Sequence, residues 1–325
     1  MGTRITGVGS YVPRHRMTNA DLEKIVETSD EWIVRRTGIH TRYHLTADED
    51  PAVMGIEAGK AALERAGASA ESVDLLMVAT NFSDMICPGS APFIAEGLGF
   101  DQTPFFDLKA GCSGFVYGLA VGDGLVRSGL YEHVLLVGTE ALSRVTDWSD
   151  RKTCVLFGDG AGAALLEAGG DGEGILGSAL FGDNSKAMLL HLPAGGTRTP
   201  ASHETVDEHG HFLKMEGGGV YRSAVAMMRR ATRAALRTAK LRLEDVDWLI
   251  PHQANIRIID SLVKHLNFDR ERVIVNLDRV ANTSTASIPI ALDEALRDGR
   301  INPGDLVALT AFGAGATYGA VVLRV

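Results

Sequence analysis

The strongest constraint on this chain is that it repeats itself. Leu63–Leu76 matches Leu236–Leu249, Phe106–Gly129 matches Asn276–Gly299, Glu132–Val137 matches Gly304–Leu309, and Phe157–Leu166 echoes Phe312–Leu323. Four blocks in one order indicate two related halves. They meet at residues 167–174, where a glycine-rich stretch breaks the apolar periodicity, giving units at 1–170 and 171–325. Each half reads as helix, strand, strand, glycine-containing helix, strand and closing strand. Leu75–Thr80, Trp248–Pro251, Val134–Gly138 and Leu306–Thr310 are apolar on both faces, which predicts an α/β fold with largely parallel sheet order. Asp183–His211 is rich in Gly, Pro, Thr and His and is expected to be a long loop beside a site.

The repeat sets Cys112 against Asn282. Phe105, Phe106 and Leu108 precede the cysteine, and Phe115, Val116 and Leu119 follow it, the pattern of buried strand, tight turn and buried helix. A thiol at a helix start meets unpaired N–H groups and a partial positive charge, so its pKa of about 8.5 is expected to fall towards neutrality. A lone cysteine is more often a packing residue. Here a pseudo-twofold would place Cys112 and Asn282 at equivalent helix starts, facing each other across one cleft. His252 emerges directly after the strand Trp248–Pro251, at the strand end where open α/β sheets build their sites. Cys, His and Asn together suit acyl transfer: the thiolate forms a thioester, and the N–H donors polarise a second carbonyl.

Composition removes other classes. A net charge of −9 argues against nucleic acid as the bulk partner. No apolar run is long enough to span a membrane, and Cys87, Cys112 and Cys154 do not make a disulfide framework, so a soluble cytoplasmic protein is expected. Lys214–Arg242 holds Lys214, Arg222, Arg229, Arg230, Arg233, Arg237, Lys240 and Arg242 against the single acid Glu216, and Arg257 and Lys264 extend this series. Such a series is either a solvated helix face or a dock for an acidic partner. His203, His209 and His211 lack a closing carboxylate or cysteine, so no metal is expected. The stretch Gly158–Gly162 resembles a nucleotide loop, but its counterpart at Gly313–Ala316 has no lysine, so both read as a shared turn of the fold.

Taken together, Ala110-Gly-Cys-Ser-Gly-Phe, Pro251-His-Gln-Ala-Asn, Ala281-Asn-Thr-Ser-Thr-Ala-Ser and Ala311-Phe-Gly-Ala-Gly-Ala-Thr-Tyr-Gly resemble the β-ketoacyl-acyl-carrier-protein synthase III family. Thr28-Ser-Asp-Glu-Trp-Ile-Val, Arg36-Thr-Gly-Ile, Asp150-Arg and Phe157-Gly-Asp-Gly-Ala-Gly add to the likeness, which covers essentially the whole chain. The resemblance implies a thiolase-like fold, with duplicated halves in a five-layer α/β/α/β/α sandwich. It implies that Cys112 accepts an acyl group from acyl-CoA, and that His252 and Asn282 bind the thioester carbonyl of malonyl-carrier protein as CO₂ leaves. The backbone N–H groups of Cys112 and Ala314 would form the oxyanion hole. Trp32, Arg36, Thr37, Arg151 and Asn255 would bind CoA, and Arg222, Arg257 and Lys264 the acyl carrier protein. Cys87, Leu142 and Phe157 would line the acyl pocket, and the small Cys87, where relatives often carry a bulky aromatic, implies a deeper one. A homodimer is implied, and no cofactor.

Rival classes have their own marks. A degradative thiolase is expected to carry a second cysteine near the C-terminus, and residues 300–325 have none. A papain-like hydrolase shares Cys, His and Asn but has no use for CoA-type motifs or a duplication. A non-catalytic scaffold has no use for all three. A specialised-metabolite ketosynthase on the same fold stays open beside fatty-acid initiation.

Overall fold

The computed structural model describes residues 2–170 and 172–325, so the boundary residue Asp171 lies outside the described residues. The first half builds a five-stranded sheet from β1 (Gly2–Tyr11), β2 (Leu75–Ala79), β3 (Phe105–Leu108), β4 (His133–Glu140) and β5 (Gly160–Gly169), in the order β1-β5-β4-β2-β3. The second half builds a four-stranded sheet from β6 (Gly174–Gly182), β7 (Trp248–Pro251), β8 (Leu306–Gly313) and β9 (Thr317–Arg324), in the order β7-β8-β9-β6. The two are one pattern. In both, an equivalent pair is parallel (β2 with β4, β7 with β8), and the next two partners run antiparallel. The counterpart of β3 is reduced to a parallel bridge between Leu249 and Val273.

The sheets are therefore mixed, not largely parallel. Apolar residues on both faces reflect burial between layers, which an antiparallel pair shares when helices cover both sides. Helices α2 (Pro51–Ala66) and α3 (Ala91–Leu98) cover the outer face of the first sheet, and α5 (Gly217–Ala239) and α6 (Ile256–Leu266) that of the second. Between the sheets lie α4 (Gly114–Arg127) and α7 (Ser287–Arg297), one from each half, which completes five layers. The middle layer is a shared core, in which Phe115, Leu119 and Val134 pack in one cluster with Ile250, Ile288 and Val307. Neither half closes its own interior.

Local chemistry starts the helices where they are needed. Asp50 caps α2 by accepting from the Val53 N–H, with Pro51 at the first helical position and Gly67 in the left-handed region at the end. Ser29 caps α1 (Asp30–Thr37) by accepting from the Trp32 N–H, and Asn255 caps α6 by accepting from the Arg257 N–H. The stretch Asp183–His211 is mostly irregular, with a single-turn helix at His203–Asp207 and a two-residue strand at Leu190–His191 paired with Lys214–Met215. It folds back onto the first half, where Leu213 packs with Leu142 and Phe157.

Helix α2 lies almost against β1. A Cβ at Gly9 would fall on the Ala58 carbonyl oxygen and the Ala62 nitrogen, both backbone atoms that cannot rotate away. Gly9→Ala is therefore expected to destabilise the fold by about 1–3 kcal/mol. Urea unfolding should show it as a lowered midpoint at unchanged slope.

Candidate active site

Two tight turns, one from each half, make the centre of the site. After β3 the chain passes through Ala110–Ser113 into α4; after β8 it passes through Gly313–Ala316 into β9. A Cβ at Gly111, where φ is +57°, would sit 2.5 Å from the Ala314 nitrogen, and one at Gly313 would fall on the Cys112 nitrogen. The turns are pinned by side chains. Thr317 Oγ1 donates to the Ala110 carbonyl at 2.6 Å, and Ser113 Oγ donates to the Thr317 carbonyl at 2.9 Å.

His252 leaves β7 with its N–H on the Thr310 carbonyl at 2.8 Å, and its ring meets Phe312 edge-on with centroids 5.6 Å apart. Asn282 crosses to the first half: its N–H donates to Leu156 O and its carbonyl accepts from Gly158 N, both at 3.0 Å. Its Oδ1 accepts from the Ser284 N–H at 2.9 Å, which leaves the Nδ2 donor for the cleft. Cys112, His252 and Asn282 line one cleft of about 700 Å³.

Burial sets the charges here. His252 is 1% exposed, and burial alone lowers its pKa to about 3, so the imidazole is neutral at physiological pH. Cys112 keeps part of its surface on the cleft, yet its surroundings are dense enough that burial pushes the thiol up to about 12. The Ser284 hydrogen bond opposes that rise and the charge of Glu140 adds to it. The expected fall towards neutrality is thus corrected. The turn's own 3₁₀ bonds, Ser113 N–H to Ala110 O and Gly114 N–H to Gly111 O, also take up donors that a bare helix start would offer the sulfur.

Sequence reading missed the residues behind the thiol. Ser284 Oγ lies 3.3 Å from Cys112 Sγ and 3.1 Å from Glu140 Oε1, and the Asn81 backbone N–H donates to the same Oε1 at 3.1 Å. The available signal was an acid ending a doubly buried strand, Val134 to Glu140, and a second hydroxyl two residues after Asn282.

The solvent end of the cleft carries the residues expected at CoA, with differences. The Arg36 and Arg151 guanidiniums lie 5.2 and 4.8 Å from the Trp32 ring centroid. Thr37 lines the cleft but is buried, and its hydroxyl is engaged: it donates to Ile33 O at 2.7 Å and accepts from Ile39 N at 3.0 Å. Asn255 likewise serves as the α6 cap, and its Nδ2 donates to the Arg36 carbonyl at 3.0 Å, joining the halves. Arg222 and Arg257 line the same cleft, whereas Lys264 sits in the last turn of α6 outside it.

A second cavity, about 360 Å³, opens from Cys112 on the other side and is lined by Leu142 and Phe157 together with Phe82, Leu190, Leu192 and Leu213. Cys87 does not line it. It lies on the exposed loop between β2 and α3, next to Ile86. Of the histidines weighed as metal ligands, His209 bonds Asp147 at 3.1 Å and His211 bonds Thr205 at 2.9 Å. Among the described residues no group of three or more His, Cys, Asp or Glu could hold a metal ion, and no helix is long and apolar enough to cross a membrane.

Comparison with known proteins extends the same arrangement to relatives. Residues 106–184 match the family model for 3-oxoacyl-[acyl-carrier-protein] synthase III, and residues 236–325 the model for its C-terminal part. The β-ketoacyl-[acyl-carrier-protein] synthase III of Caldanaerobacter subterraneus is 48% identical over 98% of this chain and 97% of its own. The crystal structure of 3-oxoacyl-[acyl-carrier-protein] synthase III from Aquifex aeolicus superposes with a TM-score of 0.92 at 42% identity, covering both chains completely. The priming β-ketosynthase of the R1128 polyketide pathway superposes equally well at 37% identity, over all of this chain and 96% of its own. With both halves matched and the thiolase-like architecture shared end to end, this chain belongs to the 3-oxoacyl-[acyl-carrier-protein] synthase III family, the acyl-transferring condensing enzymes.

Proposed function

We propose that this synthase condenses an acyl-CoA primer with malonyl-acyl-carrier protein, through an acyl group held on Cys112, to start fatty-acid synthesis. The observation that carries this reading is that Cys112, His252 and Asn282 line a single cleft reaching out to Trp32 and Arg36. A CoA adenine stacks between the Trp32 ring and the Arg151 guanidinium, displacing Arg36 from the ring towards the CoA phosphates. The pantetheine then follows the cleft to the thiol. The apolar cavity of Leu142, Phe157 and Leu213 receives the acyl chain.

The attacked carbonyl develops negative charge, and the backbone N–H groups of Cys112 and Ala314, brought side by side by Gly111 and Gly313, are suited to receive it. In the second step His252 and Asn282 act as donors to the malonyl thioester. A neutral imidazole has one N–H. Nδ1 of His252 is buried with no partner, and a bare lone pair there is cheaper than a bare N–H, so the proton belongs on Nε2, facing the cleft. With Asn282 Nδ2 it holds the enolate oxygen formed as CO₂ departs. The enolate carbon attacks acyl-Cys112, the Cys112 thiolate is expelled and takes up a proton from solvent, and the 3-oxoacyl product remains on the carrier. Exposed Arg222 and Arg257 at the cleft supply local positive charge for an acidic carrier on a chain of net charge −9.

A homodimer fits the edge of the first sheet. Strand β3 is the edge, it is exposed, and Phe105 and Phe106 are 47% and 40% exposed on it, with Ile86 nearby at 90%. Pairing β3 with its copy would cover these groups and bring the loop of Cys87 towards the partner's acyl cavity. A second reading, priming of a specialised polyketide-type pathway, is favoured by the 37% identical R1128 synthase and leaves the site chemistry unchanged.

Intact-mass analysis after incubation with competing acetyl-, branched short-chain and long-chain acyl-CoAs is expected to show one acyl adduct. The adduct should be absent in Cys112→Ser and discharged by malonyl-carrier protein as a 3-oxoacyl product. No adduct from any donor would remove the acyl-CoA assignment. Gly313→Ala should slow acylation on the order of a hundredfold, the scale of one lost oxyanion donor, because its Cβ displaces the Cys112 amide. Phe106→Asp should shift the sedimentation coefficient from dimer to monomer, and an unchanged dimer would move the interface elsewhere.

A further inference from the structure

The reaction requires the Cys112 proton to go somewhere, and the groups already assigned do not take it. Among the described residues the partner of the Cys112 sulfur is Ser284 Oγ, not His252. Ser284 adopts φ +51°, a left-handed backbone that a serine takes rarely, and this places its hydroxyl between the thiol and a carboxyl. That carboxyl, Glu140, is fully buried at the end of β4. Its Oε1 accepts from the Asn81 backbone and side chain, while Oε2 has no partner. A buried carboxylate with no cation and one oxygen unpartnered is costly to ionise, which favours the neutral acid.

The single hydrogen on Ser284 Oγ couples the two ends. The hydroxyl lies within bonding distance of both Cys112 Sγ and Glu140 Oε1 but can donate to only one. If Ser284 donates to Glu140, Cys112 must supply the hydrogen between sulfur and oxygen and is a thiol. If Cys112 is a thiolate, it must accept from Ser284, and Glu140 must then supply the hydrogen between the two oxygens and is a neutral acid. The two arrangements differ by one proton moved from cysteine to glutamate.

We infer that Glu140 acts through Ser284 as the proton acceptor for Cys112, so that Cys112, Ser284 and Glu140 form a relay for acylation. The inference rests on Cys112 being the acyl acceptor. In the step, the Ser284 hydrogen passes to Glu140 as the Cys112 hydrogen passes to Ser284, and the sulfur attacks the thioester carbonyl carbon. The carbon–sulfur bond to CoA then breaks. The departing sulfur, still beside Cys112, recovers the proton from Glu140 through Ser284. Net, one thiol is exchanged for another and Glu140 is again ionised.

The electrostatics agree with the geometry. Burial lifts Glu140 to about 7, opposed by the hydrogen bonds of the Asn81 side chain, Ser284 and the Asn81 and Phe82 backbone. The titratable group facing it is Cys112; Asn81 from the end of β2 and Ser284 from the turn before α7 are uncharged, and among the described residues no cation pairs with it. Below about pH 7 Glu140 holds its proton and cannot accept another, and above it the carboxylate is available. Acylation competence therefore rises with pH through this range.

The test is the rate of Cys112 alkylation by iodoacetamide across pH 5.5–9, read by intact mass in the full-length enzyme. Wild type is expected to show an inflection near pH 7. Glu140→Gln, which keeps the shape and the Asn81 contacts, and Ser284→Ala should both lose that inflection. Their acylation by acetyl-CoA should fall on the order of a hundredfold, the scale of a lost general base. A folded Glu140→Gln enzyme that keeps the inflection overturns the relay, and a Ser284→Ala enzyme that keeps it overturns the bridge. Should Glu140→Gln not fold, Ser284→Ala decides by the same profile. Alkylation needs no CoA donor, so a failed relay and a failed acyl-CoA reading give separate results.

Discussion

The site depends on one backbone contact. The turn at Gly111–Cys112 and the turn at Gly313–Ala314 approach until neither can carry a Cβ at its inner glycine. No side chain could set two amides so close, because any side chain would need the space. The approach is possible only because α4 and α7 fill a common middle layer, so both halves must fold together before the turns meet. The position of Cys112 is thus a property of the shared core, and the hydrogen bonds of Thr317 and Ser113 across the contact fix its register.

Burial then decides which groups are charged. The same dry interior that holds His252 neutral, and so keeps it a hydrogen-bond donor without a titration near neutral pH, disfavours the Cys112 thiolate. A helix start contributes about 0.3–1 kcal/mol to a favourable charge. Each pKa unit is worth about 1.4 kcal/mol. Against a thiol lifted from 9.0 to about 12 by burial, the helix field is the smaller effect. That balance is why an unpaired acid behind Ser284 matters: a second group raised by the same burial is a better proton partner for the thiol than solvent.

Much of this was legible in the sequence, for a physical reason. The duplication constrained both sheets, and the pairing of Cys112 with Asn282 followed from it without any three-dimensional information. The doubly apolar strands at Leu75–Thr80, Val134–Gly138, Trp248–Pro251 and Leu306–Thr310 were readable because their determinants are local. What was not readable depended on neighbours distant in sequence. Thr37 and Asn255 carry polar groups that could face a ligand, but the fold uses them on Ile33, Ile39 and Arg36. Strand direction was misread because helices on both faces make antiparallel and parallel strands equally apolar. The thiol's environment was misread because burial, unlike a helix start, has no signature in a window of residues.

The catalytic asymmetry lies where the two copies differ. By the repeat, Cys112 corresponds to Asn282, and Gly114 to Ser284. One half thus offers the nucleophile on a helix start stripped of side chain, and the other fills the space with a hydroxyl that reaches the sulfur at 3.3 Å. The strand ends differ in the same sense. β4 closes on Glu140, which serves Cys112 through Ser284, and β8 brings Phe312, which packs edge-on against the buried His252. An acid beside the thiol and an aromatic beside the imidazole give opposite environments at related positions: one side can exchange a proton, the other is held neutral. A symmetric pair of sites could do neither half of a reaction in which one sulfur must lose a proton and one carbonyl must receive hydrogen bonds without gaining one. The edge strands complete the division, since β3 is left open in the first half and its counterpart is reduced to one bridge at Val273 in the second.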